Sequence, residues 1–374
     1  MRGIYVHIPF CRQACRYCDF FFSVSLRYLD EYVDRLVEEI GFLCQSQGKV
    51  LDTLYLGGGT PSLLTEAHLD KIVSAISRIH SFRENPEWTI ECNPDDLDHR
   101  RLRYLRSIGF NRLSIGVQSF QSRDLELMRR SHNVGQAVDS VQEAADSGFG
   151  NISVDLIYGI PGQSLEEWEE NIEKTLSLPV SHVSAYHLTF EAGTVFDHWR
   201  KKGHLLPVHE EESVIQYRKL REKLLPAGFE HYELSNFGLA GKHSEHNMIY
   251  WSGKAYLGFG PSAHSYDGKA RSWNHPSLKG YMEGVARGGE IAEKEHLSIR
   301  EQYHDYLITS LRTRWGCDLV HLEAKYGLNY REHFVNRAKQ FLEGGSLYYA
   351  DGRIAIHPES WLITDHILRE LFMD

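Results

Sequence analysis

Apolar residues in the first half of the chain fall in short runs, and each run is followed by a stretch where they recur every three or four positions. "GIYVHI" (3–8) precedes such a stretch over 25–46, "LDTLYLGGG" (51–59) one over 65–80, and "EWTIEC" (87–92) one over 97–108. "RLSIGV" (112–117) precedes 121–130 and 134–147, "NISVDLIYG" (151–159) precedes 164–177, and "HVSAYHL" (182–188) is a sixth run. Unbroken apolar runs of this length suit strands covered on both faces, and the slower recurrence marks one face of a helix. Strand and helix alternating at this spacing predict βαβ units and a parallel sheet. Six units are too few for a closed eight-stranded barrel. The expected fold class is α/β, a partial (βα)6 barrel followed by a smaller, mainly helical C-terminal domain.

After residue 205 the pattern changes. "HEEESVIQYRKLREKLLPAGF" (209–229) predicts one helix, stopped by Pro226 and Gly228. A stretch rich in glycine and aromatics occupies 231–268, and helical periodicity returns from 298. A hairpin is expected at "SLYYADGRIAIH" (346–357), where Asp351-Gly352 suits a two-residue turn. The expected organisation is a barrel over 1–230, a connecting region over 231–294 and a helical domain over 295–374. "YLITSLRTRWGCDLVHLEAKYG" (306–327) has the outline of a helix-turn-helix but brings no basic recognition helix.

Composition narrows this further. With 42% hydrophobic and 25% charged residues the chain has ample material for a large core, and its net charge of −10 sets the overall field against nucleic acid. No apolar run is long enough to predict a membrane-spanning helix. From Arg2 the chain passes straight into a strand pattern, unlike a secretory leader. Cys44, Cys92 and Cys317 are scattered and read as small buried residues rather than as a disulfide framework. A reducing cytoplasm is the expected location.

The other three cysteines are not scattered. "CRQACRYC" places Cys11, Cys15 and Cys18 in one loop just after the first strand. Thiolates hold zinc or iron–sulfur clusters. A structural zinc site wants four ligands, and no nearby residue completes this one, since His7 lies on the strand. Three cysteines on a [4Fe–4S] cluster leave one iron free to bind something else. Further along, "GGGTP" carries Gly58, Gly59 and Thr60 at the end of the second strand, where glycines let backbone approach a ligand. Glu91 in "ECNPDDL" ends the third strand, Gln118 in "GVQSF" follows the fourth, and Asp155 in "DLIYGIPGQ" lies on the fifth. The carboxyl ends of parallel strands carry the site in α/β barrels, so these polar groups, with Arg130, are candidates to hydrogen-bond a nucleoside ligand.

The CxxxCxxC loop resembles that of the radical S-adenosylmethionine superfamily. With "YVHIPFC", "YELSNF", "HNMIYW" and "GFGPSAHSY" added, the chain resembles the coproporphyrinogen III oxidase-like branch and, within it, the HemW haem chaperone family. The resemblance implies that Cys11, Cys15 and Cys18 ligate a 4Fe-4S cluster and that Tyr5, Gly58 and Glu91 contact the S-adenosylmethionine bound to it. Positions matching a second S-adenosylmethionine site are Tyr17, Gly59, Thr60, Gln118, Arg130, Asp155 and Ala185. The oxidases carry CxxxCxxCxC and an N-terminal extension, whereas this chain has Phe20 at the last position and starts near the strand. "HNMIYW" matches the chaperones' HNxxYW motif and makes His246 a candidate haem contact beside Tyr250 and Trp251, with His243, His264 and His275 as rivals among 21 histidines.

The function so implied is haem binding and transfer to an apo-haemoprotein, helped by an electron donor. The alternative is oxygen-independent decarboxylation of coproporphyrinogen III to protoporphyrinogen IX. Another radical reaction on a tetrapyrrole is a third reading. A homodimer and a transient membrane-associated partner are left open, and no nucleic acid partner is expected.

Overall fold

A computed structural model describes residues 2–42, 50–288 and 291–373; Cys44 and the end of the first expected helix lie outside the described residues. All six expected strands form: β1 (Gly3–Ile8), β2 (Val50–Gly58), β3 (Ser81–Cys92), β4 (Arg112–Gln118), β5 (Ile152–Tyr158) and β6 (His182–His187). They pair in parallel in sequence order. Helices Leu29–Phe42, Glu66–Ile79, His99–Ser107, Val134–Asp146 and Leu165–Leu176 connect them. Three of these begin on capping boxes, Thr65 with His68, Asn133 with Gln136 and Ser164 with Glu167, which satisfy first-turn N–H groups and fix where the chain turns from loop to helix.

Side chains alternate across a strand, so the apolar runs have two sides. Ile4, Val6, Leu54, Leu56, Ile90, Leu113, Ile115, Val154 and Leu156 are fully enclosed in one core with the helices. The intervening polar members Thr53, Tyr55, Glu91, Ser114 and Asp155 share the concave face, where Tyr55 meets Glu91 and Ser114 meets Asp155.

The region 231–294 does more than connect. It supplies β7 (Glu230–Glu233), β8 (Asn236–Gly238), β9 (Tyr256–Phe259), β10 (His264–Tyr266), β11 (Ala270–Asn274) and β12 (Ala292–His296). All join the main sheet, whose order is β12-β11-β10-β9-β1-β2-β3-β4-β5-β6-β8-β7. β9 lies parallel to β1, while β8 runs antiparallel to β6, so the six-unit core is extended at both ends and the sheet stays open. Strands of three to five residues interrupted by glycines show no period, which is why this region reads as loop. Glu39, buried on the first helix, binds the extension in place by accepting from Gly260 N (2.8 Å), Asn274 Nδ2 (2.6 Å) and the Tyr281 hydroxyl (2.6 Å).

Residues beyond 298 form a separate core around Tyr303, Leu307, Leu322, Phe334, Ile354 and Trp361. Helices Ile299–Leu311, Leu319–Tyr326, Leu328–Glu343 and Thr364–Leu371 surround three short strands, β13 (Cys317–Asp318), β14 (Leu347–Ala350) and β15 (Arg353–Ile356). The expected hairpin forms, with Asp351 (φ 50°) and Gly352 (φ 76°) both left-handed in the turn. This domain covers the β7 edge: Arg314 N donates to Tyr232 O (3.0 Å), Arg314 pairs with Glu230 (2.7 Å), and His231 packs edge-on against Trp361. Among the described residues no helix is long and apolar enough to cross a membrane.

Candidate cofactor cleft

The carboxyl ends of β1 to β6 open into a cleft of about 400 Å³. Cys11, Cys15, Cys18, Tyr17, Gly58, Gly59, Thr60, Glu91, Gln118, Arg130 and Asp155 all line it, although they come from five strand ends and one helix terminus. The topology therefore brings together eleven of the fourteen expected site residues.

The cysteine loop is held from two sides. Arg16 N donates to Met128 O (3.1 Å), the Arg16 guanidinium donates to Leu127 O (3.0 Å), and Gln13 Nε2 donates to Arg129 O (2.9 Å). Helix Val195–Lys201, which follows β6 and has no sequence forecast, docks on the same loop. Its Phe196 N donates to Arg16 O (3.1 Å), and Trp199 lies 4.8 Å under the Arg16 guanidinium. Phe196 is fully buried in a small cluster with Leu125, Met128, Ile157, Ile160 and Leu188, which Tyr17 of the cysteine loop also joins.

Cys11, Cys15 and Cys18 are free thiols. Burial raises the Cys11 thiol and pushes Cys18 up to about 12. Donors face the sulfurs: Arg130 Nη1 lies 3.2 Å from Cys15 Sγ, and the Thr60 hydroxyl donates to Cys11 Sγ (3.4 Å). Three free thiols on one cleft, with a guanidinium and a hydroxyl aimed at two of them, suit a cluster held by thiolates.

The floor is polar. Glu91 accepts from the Tyr55 hydroxyl (2.8 Å) and from Gly58 N (3.0 Å), and burial lifts its carboxyl from 4.5 to about 7. Asp155 accepts from the Ser114 hydroxyl (3.1 Å) and is raised by burial to about 6. Arg130 Nη2 spans Asn93 Oδ1 (2.7 Å) and Gly116 O (2.8 Å), fixing its plane between two strand ends. Gln118 has a left-handed φ of 69°, and Ser119 N donates back to Val117 O (2.9 Å), a γ-turn at a non-glycine residue. Strained turns of this kind persist where surrounding structure holds them.

The glycines act differently from the open approach expected of them. A Cβ on Gly57 would meet Glu91 Oε1 at 2.8 Å, one on Gly58 (φ 110°) the His7 ring at 2.6 Å, and one on Gly59 the Phe10 carbonyl at 2.7 Å. Their missing side chains leave room for protein atoms; Gly58 and Gly59 border the cleft as well.

Three expected residues lie outside the lining. The Tyr5 hydroxyl contacts His7 Nδ1 (3.1 Å) beneath the floor, and Ala185 is buried on β6. His246, expected to contact haem, is the third. It is 1% exposed at the opposite, amino-terminal end of the strands, on helix Glu245–Trp251. Its Nδ1 pairs with Thr53 Oγ1 (2.7 Å) and its Nε2 with the Tyr250 hydroxyl (2.8 Å), so neither nitrogen is presented to an open surface. Burial drives its pKa down to about 3, and its backbone N–H donates to buried Glu87 (3.0 Å). The HNxxYW sequence thus packs at the amino-terminal end of the sheet, with the His246 ring 5.0 Å from that of Tyr55. Conversely, Tyr55, Ser114 and Asn93 belong to the site without having been forecast. Counting back by twos from Gly57 and Gln118 reaches Tyr55 and Ser114, and Asn93 lies inside the "ECNPDDL" motif.

A polar cleft at the carboxyl ends of an open parallel sheet, with three thiols in the first loop, defines a class. A family model described as "Radical SAM superfamily" matches residues 5–175. The chain is 35% identical over 372 residues to "Heme chaperone HemW" of Bacillus subtilis, covering 98% of each protein. It is 32% identical to "Heme chaperone HemW" of Lactococcus lactis, covering 99% of this chain and 97% of that protein. It is 31% identical to "Radical S-adenosyl methionine domain-containing protein 1, mitochondrial" of Danio rerio, covering 100% and 87%. Among solved structures, coproporphyrinogen III oxidase (HemN) from Escherichia coli superposes with a TM-score of 0.87 over 99% of this chain and 90% of that one, at 23% identity, a likeness of fold. The chain belongs to the HemW family of radical S-adenosylmethionine proteins.

Proposed function

We propose that this chain binds haem and passes it to apo-haemoproteins, using a [4Fe–4S] cluster and S-adenosylmethionine held in the cleft. The observation that carries this reading is the near full-length likeness to proteins named heme chaperone HemW, over a chain whose cleft has Phe20 where a further cysteine would stand in the oxidases. Cys11, Cys15 and Cys18 would hold the cluster, with Arg130 and Thr60 donating toward its thiolates. A cluster so held would supply one-electron chemistry to S-adenosylmethionine at its open iron. Glu91 offers a carboxylate to a ligand ammonium, which would draw its proton off at neutral pH. Asp155, Ser114 and Gln118 offer acceptors and donors to ribose and adenine. A cytoplasmic site of action and an electron donor belong to the same reading, and the acceptor is an apo-haemoprotein.

The fold is shared with an oxidase, so the test is a pair of assays on the cluster-loaded chain. Haem transfer to an apo-haemoprotein is expected, and coproporphyrinogen III should stay unchanged with reductant and S-adenosylmethionine present. Formation of protoporphyrinogen IX would overturn the chaperone reading. Replacing all three cysteines by serine should remove iron and sulfide; retention of both would overturn the cluster assignment.

A further inference from the structure

A cation lies beneath the cleft floor. Arg112, on β4, is 2% exposed and so carries its charge inside the sheet. It shares a strand face with Ser114, two residues on, which donates to Asp155 (3.1 Å). Its register partner on β3 is Thr89, two residues before Glu91. The guanidinium therefore belongs one layer below both floor carboxyls. It has no close ion pair of its own. Glu87 Oε2 is 3.9 Å from its Nε, and the Glu87 oxygens already accept from Glu245 N (3.1 Å) and His246 N (3.0 Å). Among the described residues the Nε makes no hydrogen bond, and neither does the buried Thr89 hydroxyl beside it. A buried charge held this loosely is costly unless opposite charges nearby offset it. Glu91 and Asp155 are such charges: burial raises each carboxyl, and Arg112 draws each back down. The other cation of the cleft, Arg130, is committed to Cys15, Asn93 and Gly116.

We propose that Arg112 is a positioning residue for the cofactor, which keeps the floor carboxyls ionised so that they receive a cationic ligand it does not itself touch. This rests on reading the cleft as an S-adenosylmethionine site. A like charge below a cation site has two opposed effects. It repels the bound cation, and it draws protons off the acids that bind it. Near neutral pH the second prevails, because Glu91 titrates at about 7 and Asp155 at about 6. At higher pH both acids are ionised regardless, and only the repulsion remains. Of the other groups facing Arg112, burial keeps Tyr55 on β2 and Tyr232 on β7 protonated, and His182 on β6 and His246 neutral. Glu87 on β3, also raised by burial, is the one further group able to respond.

Calorimetric titration of the cluster-loaded full-length chain with S-adenosylmethionine, from about pH 6.5 to about pH 8.5, tests this. Arg112→Gln is expected to bind about tenfold more weakly than the parent chain near pH 7, as a rise of one pKa unit in the acids would give. By about pH 8.5 it is expected to match or exceed the parent. Arg112→Lys restores the charge and is expected to follow the parent profile. Arg112→Met, which buries no unpaired donor, is a second neutral variant should Arg112→Gln fail to fold. Unchanged affinity in the neutral variants, or a deficit of one size at every pH, would make the arginine purely structural and overturn the proposal. Failure of the parent chain to bind S-adenosylmethionine would instead overturn the cofactor reading beneath it.

Discussion

Gly58 shows how one residue makes room for a neighbouring ring and holds a polar group of the site. Its φ of 110° and the His7 ring, 2.6 Å from where a methyl group would stand, exclude any side chain, while its N–H holds Glu91. Gly58→Ala is therefore expected to cost about 1–3 kcal/mol, read from the denaturant midpoint. Glu91 makes a pH prediction with a definite sign. Burial raises its folded value to about 7 from 4.5, so the proton is held more tightly folded than unfolded. The stability it contributes is full below 4.5 and is lost as pH rises through 7. Glu91→Gln should gain on the parent chain as pH is raised through that interval; parallel stability curves would show that the carboxyl is not raised. At this scale the sequence reveals residue types more readily than geometry. Glu91, Asp155 and Arg130 are legible because charged groups at strand ends need a reason. The γ-turn at Gln118 is not, because only the fold forces a glutamine into that region. The surroundings of His246 are not legible either, because a histidine among aromatics looks the same in sequence whether its nitrogens face open space or, as here, a threonine and a tyrosine.

Elements are legible in proportion to their periodicity. The six parallel strands and their helices carry long, strongly patterned runs. The short strands β7 to β12 carry none, and they form only because β1 and β6 offer them an edge to pair with. Helix Val195–Lys201 escapes for the same reason: its seven residues show little more than one hydrophobic anchor, Phe196. That anchor matters to the cleft, since it clamps the cysteine loop from the β6 side. Phe196→Ala is expected to cost about 3–5 kcal/mol and to reduce iron bound per chain after reconstitution. A variant that loses stability yet binds a full complement of iron would show that the clamp does not shape the loop.

For the whole molecule, acid is the expected weakness. Among the described residues eleven histidines are pushed down, burial leading in each, with His132 at about 4 and His231 and His246 at about 3. Unfolded, they take up protons below about 6.5 that the folded chain refuses, so the stability they contribute is present above that pH and falls away with acid. Six carboxyls raised by burial act in the opposite sense. The histidines outnumber them, and the denaturant midpoint is expected to drop between about pH 7 and pH 5. A rise over that interval would mean that the carboxyls dominate.

The position of β1 between β2 and β9 sets an order of events during synthesis. Ile4 and Val6 lie opposite Leu257 and Phe259, partners far downstream in the chain. Until those residues leave the ribosome, one side of the first strand is bare. The same delay leaves an unpaired strand edge open to other chains, so truncation before residue 256 should yield aggregates rather than a smaller soluble barrel.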